Sequence, residues 1–272
     1  MRFIFIFLSV LILASAFITK DQPVEDCRAA EDIWQYGEDR LEQGSPAWVR
    51  NLDSATNLCP GFAKAWREKG SPYVKRGDFA MWATYIDKAV ELDPRAFLPV
   101  RGWCRFSFLR DYEGAIADLS RLDTLVNFHT IYASEFNIYL ILGEANAALR
   151  KYDKALMYYD KDINNTIRES GENWMGLYDF LYRGILKYNM EDYSGALIDF
   201  DKEIKIYESL ADPYYYKGLA YLKLGKKTEA LGQLKKALEL INGKGFNHKD
   251  PYCEVQNEIY PSDIEEALIK AL

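Results

Sequence analysis

The chain of 272 residues holds only two histidines, His129 and His248, and four cysteines. No two cysteines are spaced Cys-x-x-Cys, so a redox motif or a zinc knuckle has no support. His-x-x-x-His, Gly-x-Ser-x-Gly, a phosphate-binding loop and a Gly-x-Gly-x-x-Gly after a strand are all missing. Positive charge is short as well: 34 Lys and Arg face 41 Asp and Glu, for a net charge of −7. A nucleic-acid partner is therefore not expected, because phosphate binding needs clustered Lys and Arg. Past the N-terminus no apolar run is long enough to span a bilayer.

What is present is a core. The chain is 49% hydrophobic and 28% charged, which excludes a disordered or collagen-like polymer. Twenty tyrosines and six tryptophans make aromatic rings unusually frequent. Residues 3–18 carry no charge, follow Arg2 and end near Ala14-Ser15-Ala16. That pattern predicts a signal peptide over residues 1–16, cut after Ala16, and thus export to a periplasm, envelope or secreted compartment. The alternative is an uncleaved membrane anchor. A lipoprotein is not expected, because Cys27 follows Pro23-Val24-Glu25-Asp26 rather than small and apolar residues.

The remainder repeats itself. Tyr214-Tyr-Tyr-Lys-Gly218 and Phe180-Leu-Tyr-Arg-Gly184 align, and both Gly184 to Gly218 and Ala196 to Ala230 are 34 residues apart. Trp66, Gly70, Tyr73, Gly77, Ala89 and Pro94 fall in the same frame, and Pro60 to Pro94 is again 34. These segments resemble the tetratricopeptide repeat family, whose units are helix–turn–helix hairpins of this period. Six repeats are expected at 29–62, 63–96, 97–129, 136–169, 177–210 and 211–244, after a lead-in over 17–28. The first lacks the glycine in frame. The third has one extra residue between Gly102 and Asp111-Tyr112-Glu-Gly-Ala115. Between the fourth and fifth, seven residues are inserted, and the polar stretch 164–173 is expected to form an extended loop. Residues 245–272 are expected to form a loop and a capping helix from 263, with Ser262 and Glu265 at capping-box spacing and Ile264, Leu268 and Leu272 over the open end. The resemblance thus implies an all-α, right-handed superhelical solenoid with a C-terminal cap.

The hairpin frame also places Cys27 just before the first repeat and Cys59 just after its second helix. The two ends of an antiparallel hairpin are neighbours, so a Cys27–Cys59 disulfide is expected, and export would let it persist. Cys104 and Cys253 are expected to be buried apolar residues.

Catalysis finds no residue-level support. His129 is expected in an inter-repeat loop and His248 in solvent. Asp160, Asp162 and Asn164 alternate like a calcium loop, but Asn165 stands where its glycine should be and Gly171 where its glutamate should be, so no metal or cofactor is expected. The resemblance implies instead a protein or peptide partner on the concave face lined by the first helix of each repeat. Its inward positions are Tyr178, Leu181, Ile185 and Tyr188 in the fifth repeat, with Tyr182 beside them, and Asp212, Tyr215, Leu219 and Lys223 in the sixth. The fourth supplies Asn137, Leu140 and Glu144, and the second Lys64 and Arg67. A carboxylate clamp for chaperone tails is not matched, since Ser71 stands where an Asn is needed. The expected function is a non-enzymatic scaffold. An envelope-assembly or glycan-capture accessory is the alternative, and an enzyme built on Cys104 and His129 a remote one. Oligomeric state is left open.

Overall fold

A computed structural model describes residues 24–126, 132–133 and 136–272. The leader and His129 lie outside the described residues. The chain divides into two compact units, up to Lys69 and from Gly70 onward.

The first unit holds a hairpin of α1 (Val24–Arg40) and α2 (Pro46–Leu58). Ser45 caps α2 by accepting from the Trp48 amide at 3.2 Å, and Pro46 opens the helix where its missing N–H costs nothing. Trp48, Leu52 and Ala55 bury themselves against Ala30 and Ala65. Cys27 and Cys59 are joined by a disulfide, with Cα atoms 5.0 Å apart. The missing in-frame glycine has a substitute one residue later. A Cβ at Gly37 would sit 2.3 Å from the Asn51 side chain of α2.

Helix α3 (Ala63–Lys75) runs through the boundary between the units. The second unit continues with α4 (Phe79–Leu92), α5 (Pro94–Cys104) and α6 (Tyr112–Leu125). After these come α7 (Ile138–Ala148), α8 (Tyr152–Glu169), α9 (Asp179–Asn189), α10 (Tyr193–Ile206), α11 (Asp212–Lys223), α12 (Lys227–Ile241) and α13 (Pro261–Ala271). Among the described residues the only ladder is two residues long, β1 (Tyr132–Ala133) with β2 (Phe136–Asn137), just ahead of α7. The all-α repeat fold expected from the sequence is the observed one.

The hairpins are encoded by a fixed spacing. A Cβ on Gly143, Gly184 or Gly218 would meet the side chain of Tyr159, Phe200 or Leu234, each 16 residues on, at 2.4 to 2.6 Å. Only glycine lets the two helices of a hairpin come this close. In the third repeat the spacing is 17, Gly102 to Leu119. Its extra residue is absorbed by a π-helical turn, Arg105–Leu109, where the Arg110 amide reaches back five residues to the Arg105 carbonyl. Ion pairs follow the same rule. Arg183 binds Asp199, 16 residues on, with two bonds of 2.9 and 2.7 Å, whereas Arg101 binds Asp118, 17 residues on, at 2.8 and 2.5 Å.

Two boundaries differ from the sequence reading. The insertion does not form an extended loop over 164–173. Helix α8 runs on through Glu169, burying Asn165, and only a 3-10 turn (Glu172–Trp174) and a short link follow before α9. The cap helix starts at Pro261, not 263, and its box is Tyr260 with Asp263, whose carboxylate accepts from the Tyr260 amide at 2.8 Å. It buries Ile264, Ala267 and Ala271, while Leu268 is half-buried and Leu272 is exposed. The helical spacing from Ile264 puts Ala267 and Ala271 on the seam and carries Leu272 past it.

Candidate functional site

Between α12 and α13 the chain leaves helical structure and turns back. Phe246 pairs with the link between α10 and α11, its amide donating to the Ser209 carbonyl at 3.0 Å and its carbonyl accepting from the Ala211 amide at 2.8 Å. Gly245 allows this approach, since a Cβ there would lie 2.7 Å from both Leu240 and the Ser209 carbonyl. The following residues then lie along α9 and α11.

The contacts are polar and directed at backbone. The Tyr182 hydroxyl donates to the Gln256 carbonyl at 3.2 Å and lies 2.6 Å from Nδ1 of His248. The Tyr216 hydroxyl donates to the Asn257 carbonyl at 3.1 Å. Asp212 accepts from the His248 amide at 3.0 Å, and the His248 ring lies 3.8 Å from the Tyr178 ring centroid. Arg110, at the end of the π-helical turn, donates to the Glu254 carbonyl. His248 is therefore buried, not solvated as expected, and burial lowers its pKa to about 4. Cys253 differs from expectation too. It is only half-buried, and burial with the nearby Asp250 carboxylate pushes its thiol up to about 11. Cys104 is buried, as expected.

This segment changes the reading of the inner face. Tyr178, Leu181, Tyr182, Ile185 and Asp212 were expected to line a surface for a partner, yet all five are buried. Tyr178, Tyr182 and Asp212 hold the chain's own segment, while Leu181 and Ile185 pack in the core shared with α8 and α10. Tyr188 is half-buried beside Tyr193. Tyr215 and Leu219 pack, half-buried, in the cluster that α13 covers, and Lys223 is exposed. In the first compact unit Lys64 is exposed over the Trp34 ring, and Arg67 pairs with Glu68.

Beside the segment lies a cavity of about 420 Å³. Its walls come from α5 and the π-helical turn (Trp103, Phe106, Arg110), α7 (Leu140, Glu144), α8 (Asp162), the start of α9 (Tyr178, Asp179) and the segment from His248 to Gln256. Asn137, Leu140 and Glu144, the inward residues expected of the fourth repeat, all face it. Trp174 and Tyr252 form its wet margin, at 75% and 84% exposure.

The base of the cavity is acidic. Glu144, Asp162 and Asp179 are buried, and burial pushes the Glu144 carboxyl up to about 8 against the pull of Tyr182 and Arg110. Asp179 accepts from the Gly176 amide at 2.7 Å. The Asp162 carboxyl lies within hydrogen-bonding reach of the Asp179 carboxyl and the Asn137 side chain. Burial and then the adjoining Asp179 carboxyl raise its pKa strongly. Glu203 adds a further acid nearby, accepting from the Tyr178 and Leu181 amides at 3.2 and 3.1 Å, where it caps α9. Tyr178 takes a positive φ of 88° at this turn, a conformation that a bulky residue adopts only when its surroundings hold it there. Sequence reading gave Arg110, Asp162, Asp179 and His248 no role, and for Arg110 and His248 the reason is that their partners lie far along the chain.

Comparison with known proteins agrees with the repeat pattern. Residues 211–243 match the family model described as Tetratricopeptide repeat. A TPR repeat-containing protein of Methanocaldococcus jannaschii is 27% identical over 211 residues, which is 75% of this chain and 36% of that protein. The chain thus spans about a third of that relative's length. Among solved structures, pilF of Pseudomonas aeruginosa superposes with a TM-score of 0.58 at 17% identity, over 80% of this chain and 95% of that one. YrrB, described as a TPR protein with an unusual peptide-binding site, gives 0.53 at 19%, over 71% and 93%. Identities this low show the fold alone. The matched repeat over residues 211–243, the 34-residue period and the paired helices together show tetratricopeptide repeats in this chain.

Proposed function

We propose that the protein is a non-enzymatic scaffold that docks a protein partner on the surface formed jointly by the inner face of the third to fifth repeats and the segment 248–256. The observation that carries this reading is the segment itself. The inner face binds an irregular stretch of chain through backbone carbonyls taken by Tyr182, Tyr216 and Arg110. That is the chemistry of peptide recognition, in which main-chain bonds give affinity and adjacent pockets give specificity. YrrB, described as having an unusual peptide-binding site, is a fold neighbour that makes the reading natural for this architecture. Trp174 and Tyr252 supply large, rigid, exposed rings of the kind that anchor interfaces.

We place the protein in an exported compartment. The leader-like residues 1–16 support this, and so does the Cys27–Cys59 disulfide, which persists where the surroundings are oxidising. Among the described residues no helix is long and apolar enough to cross a membrane.

The test is site-directed photocrosslinking in the native cell. Benzoylphenylalanine at position 174 or 252 should trap one protein partner, and the same group at Ile198, exposed on α10, should not. Adducts from position 198 alone would move the interface to α10. Absence of protein adducts, with saturable glycan quenching of tryptophan emission, would favour the glycan-capture reading, since exposed aromatic faces also stack on sugars.

A further inference from the structure

Three polar groups crowd one hydroxyl on α9. The Tyr182 oxygen lies 2.6 Å from Nδ1 of His248 and 3.2 Å from the Gln256 carbonyl oxygen, and the Glu144 carboxyl of α7 is within hydrogen-bonding reach of it. The side chains of Tyr182, Glu144 and His248 are all buried. A hydroxyl brings one proton and two lone pairs. The Gln256 carbonyl can only accept, so it takes the proton, and the other two neighbours must then donate. His248 does so through Nδ1–H. Glu144 does so only as a carboxylic acid, since a carboxylate is an acceptor alone. The surroundings agree, because burial lifts the Glu144 carboxyl to about 8 against the pull of the Tyr182 hydroxyl and the Arg110 charge.

Loss of that proton turns the bond round. The carboxylate then competes with the Gln256 carbonyl for the single hydroxyl proton, and a charge-assisted bond is about twice as strong as a neutral one. His248 keeps its place, because its Nδ1–H still finds the Tyr182 oxygen. The Gln256 carbonyl loses its tie to α9, while the neighbouring tie from Tyr216 on α11 to the Asn257 carbonyl does not involve Glu144. We propose that Tyr182 is a proton-selected latch: with Glu144 protonated it holds the segment 248–256 in the docking surface, and with Glu144 ionised it turns to the carboxylate and loosens that surface. This gives the proposed scaffold a regulation, and rests on that reading for its consequence.

Other groups titrate around the latch. Tyr159 of α8 faces Glu144, Asp212 and Tyr216 of α11 face Tyr182, and Asp250 faces His248. Asp162 and Asp179 share the cavity wall with Glu144 and His248. Asp212 is the main competitor, because burial raises it to about 7 and it accepts from the His248 amide. Its sign is opposite. Once ionised it holds that amide more strongly, so it tightens the segment over the range in which Glu144 loosens it.

The test is hydrogen exchange of the whole protein without partner at about pH 6 and about pH 9, expressed as protection factors, which cancel the intrinsic pH dependence of exchange. In the parent, protection of the amides of 248–257 should fall about tenfold or more at the higher pH, with α10 changing less and α1 and α2 not at all. Glu144→Gln keeps a donor for Tyr182 and has no proton to lose, so it should show the parent's low-pH protection at both values. Asp212→Asn should retain the fall. Tyr182→Phe should be equally loose at both values, and it keeps the test decisive if Glu144→Gln fails to fold. No fall in the parent, an equal fall in α10, a fall that survives in Glu144→Gln or Tyr182→Phe, or one that vanishes in Asp212→Asn would each overturn the proposal. Photocrosslinking at positions 174 and 252 judges the scaffold separately. Partner capture with a flat exchange profile removes the latch and leaves the scaffold standing; a pH-dependent segment without capture does the reverse.

Discussion

The hydroxyl of Tyr182 on α9 lies 2.6 Å from Nδ1 of His248, a contact that joins the fifth repeat to the C-terminal segment. It is one end of a chain of contacts in which the His248 amide meets Asp212 and the His248 ring meets Tyr178. Removing the hydroxyl in Tyr182→Phe should strip partners from both His248 and the Gln256 carbonyl. The expected stability loss is about 1–3 kcal/mol. Amides of 246–257 should exchange faster, and trypsin should cut sooner after the exposed Lys249. Unchanged exchange over 246–257 would mean the segment is held by its apolar contacts alone.

Acid should stabilise this protein over a range where many proteins are indifferent. Burial raises Glu144 and Glu203 to about 8 and Asp212 to about 7, and it also raises Asp162 and Asp179. Carboxyls whose folded pKa exceeds the unfolded one near 4 favour folding fully below that lower value, and the advantage is lost as pH rises to the upper one. His248 acts oppositely: its pKa of about 4 when folded removes stability as pH falls below the unfolded value near 6.5. Several acids outweigh one histidine, so the melting temperature should fall by several degrees between pH 5.5 and 8. Differential scanning fluorimetry reads this directly, and Glu144→Gln should flatten part of the slope. A melting temperature rising with pH would show that these acids are ionised in the fold.

Two glycines should respond oppositely to the same methyl group. At Gly184 an added Cβ would lie 2.5 Å from the Phe200 ring, so Gly184→Ala is expected to cost about 1–3 kcal/mol. Gly232 lies within α12 with nothing near its would-be Cβ, so Gly232→Ala should stabilise by about 0.5–1 kcal/mol. Urea denaturation of the two variants is the check.

The disulfide should matter to one region. It joins residues 32 apart in sequence, and closing a loop of that size is worth about 3–4 kcal/mol in the chain-entropy account. In Cys27→Ser with Cys59→Ser, hydrogen exchange should accelerate in α1 and α2 and stay unchanged in α9 to α12, because repeat contacts extend only to neighbours. Acceleration across all helices would mean the chain unfolds as one cooperative body.

The fold was legible because its code is local. Gly184 answers to Phe200 and Arg183 to Asp199 at one fixed separation, so a period of 34 residues announces the hairpin and its closest contact together. Even the irregular third repeat declared its extra residue, and the π-helical turn at Arg105–Leu109 is where that residue went. Less could be read of the insertion that prolongs α8. Asn164 to Glu169 are polar enough for a loop, but Asn165 and its neighbours gain helical hydrogen bonds by continuing a helix already nucleated.

By itself the sequence determined the repeat class, the helix pairs, the cysteine pair and the presence of a capping helix, since each depends on spacing within a repeat or on the two ends of one hairpin. Tertiary structure decided whether the inner face was open. Tyr178, Tyr182 and Asp212 stand in inward register whether or not anything covers them, and periodicity is silent about what does. Only the return of the chain at Gly245 and Phe246 brings His248 and Gln256 against them. Asp162, Asp179 and Glu144 are buried beside the same segment. Their perturbed titration comes from desolvation by residues distant in sequence, a quantity that depends on the assembled surroundings and not on any one segment.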